Sequence, residues 1–320
     1  MNRILDILKQ WTLPSAIVFG TVVYLVFAFV PQLEETATFC CPILEASMPC
    51  ILFCVLLVTF CKVDFHKMRP SAWHWVACLF QVVTVALVFA LIKGLGLRGD
   101  GLVLAEGVLI CIIGPGATAA AVVTEKLGGN LETMTTYTFI SNFLTAITIP
   151  ILFPMIERGA VLTQLEAFFL ILERVCEVLV LPMAVAYVVK HYFHRLLRWL
   201  IGVKDLSFYL WAISLSITTG ITVKNIVHST SGVWFLIVMA AVVAVLCFIQ
   251  YAAGHYIGVH YGVPIEGAQA LGQKNTSFAI WISYVYLNPL ASVCPGFYVL
   301  WQNIVNSVEL NSLRSGNKSS

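Results

Sequence analysis

The chain has 320 residues, of which 60% are apolar and only 11% charged, with a mean hydropathy of +0.91 and a formal net charge of +2. So little charge over such a length excludes an ordinary soluble domain and reads as an all-α polytopic membrane protein. The lipid bilayer is therefore an expected partner, and nucleic acid is not.

The first residues form a charged amphipathic stub (Arg3, Asp6, Lys9), and no small-residue cleavage site follows the first apolar run, so no cleavable signal is expected. Runs of about 20 residues, enough to cross a bilayer, fall at roughly 11–30, 42–61, 72–92, 101–126 and 131–156. Five more fall at roughly 163–189, 206–223, 232–257, 265–287 and 290–310. The seventh is diluted by Ser207, Ser214, Ser216, Thr218 and Thr219. The polar tail from Asn311 to Ser320 carries no lipidation motif.

Charge supports ten spans with both termini inside. On that count the cytoplasmic side holds Arg3, Lys9, Lys62, Lys67, Arg69, Lys126, Lys190, Arg195, Arg198, Lys204, Arg314 and Lys318, against Lys93, Arg98, Arg158 and Lys224 outside. This is the asymmetry of the positive-inside rule. The first outside loop is acidic, with Glu34 and Glu35. Most of the ten cysteines, such as Cys54, Cys78, Cys111, Cys176 and Cys247, lie in apolar runs and are expected to pack as small hydrophobes. Cys40 and Cys41 are expected in an external loop, and no Cys or His spacing suggests a resident metal or cofactor. Trp73, Trp75, Trp199 and Trp301, near span ends, fit an interfacial belt.

Two spans are broken in their middles. Gly114-Pro115-Gly116-Ala117-Thr118 interrupts the fourth, and Gly272-Gln273-Lys274-Asn275-Thr276-Ser277 the ninth. Each break is followed by an Asn sixteen residues after its first glycine, Asn130 and Asn288. Irregular backbone at membrane depth is tolerated only where it is buried in protein or lines a cavity. A matched pair of such breaks points to a transporter binding site. Breaks in spans four and nine imply a five-span repeat, 1–157 and 158–320, and an odd count inverts the second copy. The half-helices after each break begin near Thr118 and Asn275, where free N–H groups favour an anion.

The run from Pro115 to Thr124 resembles the P-G-G-T-A-S-N-V-V-T motif of the bile acid:sodium symporter superfamily. Gly272 to Ala279 resembles its G-M-Q-N-S-G-L-A, and Gln81 matches a third-span glutamine. The resemblance implies a core of spans 72–156 and 232–310 holding the crossed broken helices, and a panel of spans 11–61 and 163–223. It also implies substrate in the cleft between the two. By their place at the breaks, Pro115, Gly116, Thr118, Asn142, Asn275, Thr276 and Ser277 are the candidate substrate contacts, the alternative being that their polar groups only hydrogen-bond between helices.

Departures from the family pattern bear on coupling. The resemblance places first-site sodium ligands at Ala120, Ala121, Met134, Thr138 and Ala270. It places second-site ligands at Ala270, Gln81, Lys274 and the backbone near Leu271 and Gln273. Sodium wants several oxygens, a carboxylate among them, and a methyl at Ala270 and an ammonium at Lys274 dismantle both sites. Lys274 is expected to stand in for the second sodium, donating to Gln81 and to carbonyls of the break. A charge at bilayer depth costs at least about 2.5–3.5 kcal/mol and is functional by default. Three roles stay open: a structural cation, a fixed charge that attracts an organic anion, or a group that exchanges a proton as burial disfavours its charge.

The sixth span carries Glu173, Arg174 and Glu177. Glu173 and Glu177 are four apart on one face, and Arg174 can pair with Glu177. They read either as a cleft-facing carboxylate or as a self-neutralised trio. Glu106 lies in the first half of span four. Ion coupling is thus assigned to Lys274, Gln81, Gln273, Thr138, Glu173 and Glu177.

The expected function is secondary transport of a small organic anion, a bile acid or related carboxylate, by alternating access in the cell's inner membrane. The chain is expected to act as a monomer or weak homo-oligomer, with a proton or sodium as coupling ion. A sodium symporter with altered ion sites and a non-transporting sensor are the alternatives. An arsenite carrier would need a Cys within the fourth-span motif, and Cys111 lies just before it. An intramembrane enzyme is not expected, because Asp6, Asp64, Asp100 and Asp205 are the only aspartates and all fall in loops or the terminus.

Overall fold

A computed structural model of the protein describes residues 12–156, 163–203, 206–229 and 231–316. The amino-terminal stub with Arg3, Asp6 and Lys9 lies outside the described residues, as do Arg158, Lys204, Asp205 and Lys318. Among the described residues every regular element is helical, apart from one isolated β-bridge. Five helical stretches are long and apolar enough to cross a bilayer: Phe39–Lys62, Ala72–Gly94, Leu131–Ile156, Tyr209–Val227 and Val233–His260.

The chain forms two compact units. One, residues 1–62 and 177–230, holds α1 (Thr12–Phe29), α2 (Glu34–Lys62), α8 (Leu181–Tyr192), α9 (His194–Gly202) and α10 (Leu206–Val227). Helix α10 packs on α1 and α2, so closely that a Cβ at Gly20 would strike the Ser216 carbonyl. Lys224, expected in a loop, sits in the last turn of α10 and pairs with Glu45 of α2 at 2.6 Å. The helix thus runs to Val227, past the predicted end at 223. Cys40 and Cys41 are also not in a loop: α2 begins at Glu34 and carries both as partly buried thiols. Helix α9 has no counterpart among the predicted spans. Its basic Arg195 and Arg198 stand apart from the buried Leu200, the two-sided pattern of a helix lying in the interface.

The second unit, residues 63–176 and 231–320, begins with α3 (Ala72–Gly94) and the broken pair α4 (Asp100–Ile113) and α5 (Thr118–Lys126). Helices α6 (Leu131–Ile156) and α7 (Gln164–Val175) follow. Then come α11 (Val233–His260), the second broken pair α12 (Pro264–Gly272) and α13 (Thr276–Tyr286), and α14 (Val293–Gly316). The sixth predicted span is not a uniform helix, because a π-turn at Cys176–Val180 separates α7 from α8. Pro182 explains the widening: it has no N–H for the carbonyl four residues back, and its ring crowds that carbonyl.

Helices α11 and α12 form a hairpin turned by Gly262, whose φ of 72° favours glycine. The Val263 N–H closes the turn on the Gly258 carbonyl at 2.8 Å. Gly254 and Gly258 face Gly267 so closely that a Cβ on any of the three would meet backbone, a small-residue contact of the kind that lets membrane helices pack closely. Trp73 and Trp301 turn inward rather than standing free at the span ends. Trp73 is buried against Tyr137 and donates to Thr133 Oγ1 at 3.3 Å, and the Trp301 indole donates to the Ala240 carbonyl. Trp75 and Trp199 remain exposed.

The hairpin gives a direct stability test. Gly254→Ala forces a methyl against the Gly267 carbonyl and is expected to cost about 1–3 kcal/mol. Thermal unfolding in detergent should fall by several degrees. Gly232→Ala, which meets nothing nearby, should leave the transition unmoved.

Candidate functional site

Helix α4 ends because Pro115 has no N–H to continue it and the backbone of Gly114 turns extended. Helix α12 ends at Gly272, where a Cβ would collide with the Tyr251 ring, and Gln273 is likewise extended. The two extended segments meet as an antiparallel bridge between Gly116 and Lys274. Ala117 N–H donates to the Gln273 carbonyl and Asn275 N–H to the Pro115 carbonyl, each at 2.9 Å. Helices α5 and α13 restart from there, and Asn275 caps α13 by accepting the Phe278 N–H.

Side chains satisfy the remaining backbone groups in a matched pattern. Ser141 Oγ accepts the Gly116 N–H at 3.0 Å, and Gln302 Oε1 accepts the Lys274 N–H at 3.0 Å. One turn before each acceptor stands a buried tyrosine. The Tyr137 hydroxyl donates to Gln81 Oε1 at 3.4 Å, and the Tyr298 hydroxyl accepts from Gln250 at 3.0 Å. Tyr298 in turn donates to the Gly272 carbonyl at 2.8 Å. At the end of α4 the Ile113 carbonyl accepts Gln81 Nε2 at 3.1 Å and Thr145 at 2.8 Å.

A second matched pair lies further out. Glu266 Oε1 accepts the Asn130 N–H at 2.6 Å, and Glu106 Oε2 accepts the Asn288 N–H at 3.2 Å. Each carboxylate, on the first half of one broken helix, thus holds the Asn that follows the other. Each is followed by a glycine, Gly107 or Gly267, at a close helix contact.

Lys274 is buried, and its ammonium donates to the Ile112 carbonyl at 3.0 Å. The charge therefore sits at the carboxyl end of α4, where a cation is favoured. Gln81 is not its acceptor: the Gln81 amide donates to the next carbonyl and accepts from Tyr137. No carboxylate pairs with Lys274 among the described residues.

The positions at which the family pattern has sodium ligands form something different. Ala120, Ala121, Met134 and Ala270 are all buried in one apolar cluster with Trp73, Ala77, Cys78, Tyr137 and Leu271. The Thr138 hydroxyl turns back to the Met134 carbonyl at 3.1 Å. These residues offer sodium too few oxygens and do not fit the ion.

The crossing brings together Pro115, Gly116, Gln273, Lys274 and Asn275, with Gln81 bonded to its end and Thr138 Oγ1 3.8 Å from where a Gly116 Cβ would lie. Thr118, Thr276 and Ser277 open the half-helices. Asn142, fully buried one residue beyond Ser141, has no partner for either amide atom, and Ser277 Oγ and Gln273 Oε1 are also buried without a partner. Glu173 is not brought to the crossing. It is exposed on α7, and Glu177 opens the π-turn in the other compact unit. Tyr137, Ser141, Gln250, Glu266, Tyr298 and Gln302 were not singled out by the sequence. Their signal is weak: a Tyr followed four residues later by a polar acceptor, and a Glu-Gly pair ahead of each break.

Residues 49–229, more than half of the chain, match the model of the family described as Sodium Bile acid symporter family. The match takes in Gln81, the first break and Asn142 but stops short of the second break. No curated protein matches the chain at a significant level.

The outer pair can be tested. Glu266→Ala leaves the Asn130 N–H without its acceptor and is expected to destabilise by about 1–3 kcal/mol. Glu266→Gln keeps a carbonyl there and should recover most of the loss in detergent melting curves. Equal losses in both variants would contradict the hydrogen-bond account.

Proposed function

The chain belongs to the sodium bile acid symporter family, and on that footing we propose that it is a secondary active transporter of an organic anion, a bile acid or related carboxylate, working by alternating access without classical sodium coupling. Members of this family are integral membrane transporters. In our reading the chain forms ten spans as two inverted repeats, 1–157 and 158–320, in the cell's inner membrane with both termini cytoplasmic. The matched Tyr137–Ser141 and Tyr298–Gln302 pairs and the reciprocal Glu106 and Glu266 contacts support the inversion. The twelve-to-four distribution of basic residues supports the orientation.

The observation that carries the proposal is the Lys274 ammonium, buried with one carbonyl bond and no carboxylate partner. An ammonium has three donors, and a buried charge without counter-charge is costly. An anion arriving at the crossing would supply both the missing acceptors and the missing charge. The start of α13 at Thr276 and Ser277, the start of α5 at Thr118, and the unpartnered amide of Asn142 add neutral donors. On this reading Lys274 does electrostatically what sodium does in the family pattern, while the apolar cluster at Ala120, Ala121, Met134 and Ala270 keeps sodium out.

Uptake into proteoliposomes tests this with labelled bile acid and small carboxylates. Lys274→Gln should lower uptake about tenfold or more, because a hydrogen bond to a charged group is worth about 1.5–3 kcal/mol. The variant should remain monodisperse in detergent. Uptake equal to that of the parent at every pH would overturn the role of Lys274.

A further inference from the structure

The segment that leads into α3 carries charge with no part in the crossing. Asp64 shapes it by accepting the His66 N–H on its side chain at 3.1 Å and the Lys67 N–H on its carbonyl at 3.2 Å. His66, Lys67 and Arg69 then line a cavity of about 420 Å³ together with Asn130, Glu132 and Thr133. The last three belong to the start of α6, where Asn130 Oδ1 caps the helix by accepting the Thr133 N–H at 2.9 Å. The cavity therefore combines three basic side chains with the positive end of a 26-residue helix.

Arg69 and the His66 ring make no hydrogen bond or ion pair with another described residue. Lys67 reaches Glu132 at 3.5 Å, but both side chains are largely exposed, at 60% and 42%. Such a pair is weak and readily exchanged. Glu132 opposes an anion from the lining itself, and the Glu266 carboxylate on the Asn130 N–H at 2.6 Å does so from behind it.

We propose that this cavity binds a phosphate group, that of an anionic phospholipid headgroup. Arginine and lysine beside a helix amino terminus are the standard chemistry for phosphate, and basic pockets between membrane helices hold such headgroups. Position selects the lipid over a soluble phosphate. Arg69 lies just ahead of α3, a helix apolar and long enough to cross a bilayer, so the cavity stands at headgroup depth. On its side away from Trp73 and His74, which reach Thr133, α3 presents an exposed apolar stripe, Trp75, Leu79, Val83 and Leu87, at 58%, 62%, 48% and 65% exposure, as a lipid-facing helix would.

The full chain in detergent, titrated with phosphatidylglycerol, phosphatidylcholine and soluble glycerol 3-phosphate and read by native mass spectrometry, tests the site. Phosphatidylglycerol should bind tighter than phosphatidylcholine. The double variant Lys67→Gln/Arg69→Gln should weaken it about thirtyfold, at roughly fivefold per basic residue. Glu132→Gln should tighten it, and Lys126→Gln, outside the cavity, should leave it unchanged. Equal binding of the two lipids, or equal losses from Lys126→Gln and the double variant, would overturn the site. Displacement of phosphatidylglycerol by equimolar glycerol 3-phosphate would overturn the assignment to lipid.

Discussion

Two backbone hydrogen bonds, Ala117 N–H to the Gln273 carbonyl and Asn275 N–H to the Pro115 carbonyl, hold the crossing closed at 2.9 Å each. Each break opens a helix and leaves amides and carbonyls that lipid cannot satisfy. Neither break could stand alone. Paired with each other, they satisfy two amides and two carbonyls reciprocally, and Ser141, Gln302, Gln81, Thr145 and Tyr298 take up most of the rest. The buried polar side chains of α3, α6, α11 and α14 follow from that requirement. So do the close approaches at Gly116 and Gly272, where a Cβ would press on Ser141 and Tyr137 of α6 or strike the Tyr251 ring of α11.

The same requirement separates structural polarity from functional polarity. Gln81, Tyr137, Gln250, Tyr298 and Gln302 are engaged with the backbone or with each other. Asn142, Ser277 Oγ and Gln273 Oε1 are buried with no partner, and a polar group left so is costly. Lys274 stands between the two classes. Its single bond to the Ile112 carbonyl sets it at the buried carboxyl end of α4, yet its charge has no carboxylate beside it among the described residues. Where the family pattern has oxygen ligands the chain has packed methyl groups and a methionine. In our reading charge compensation at the crossing has passed from a mobile ion to a covalently attached one.

Much of this was legible in the chain because the relevant signals are local. Gly114-Pro115-Gly116 cannot continue a helix, and a lysine in an apolar span is conspicuous without any structure. Asn130 and Asn288 stood out by their equal distance from the breaks, although the carboxylates that hold them did not. Glu266 lies 136 residues from Asn130, and such a partnership depends on how each helix is rotated, which a single sequence does not reveal. Rotation also explains Trp73, which looks interfacial by position but turns inward onto Tyr137. The expected Lys274–Gln81 contact failed for a related reason: two adjacent carbonyls of α4 were available, and each side chain took one. Pro182 could have foretold the π-turn in the sixth span, since its missing donor was visible. Cys40 and Cys41 were misplaced because the polar residues around them resemble a loop while forming the first turns of α2.

A fixed charge at the crossing makes sodium dispensable, and the most direct measurement is uptake of labelled bile acid and small carboxylates into proteoliposomes with sodium replaced by choline. Proton gradient and membrane potential should be fixed independently. With Ala120, Ala121, Met134 and Ala270 packed as an apolar cluster and Lys274 supplying the charge, uptake should be the same with and without sodium. Uptake that vanishes in choline and returns with sodium would contradict the account.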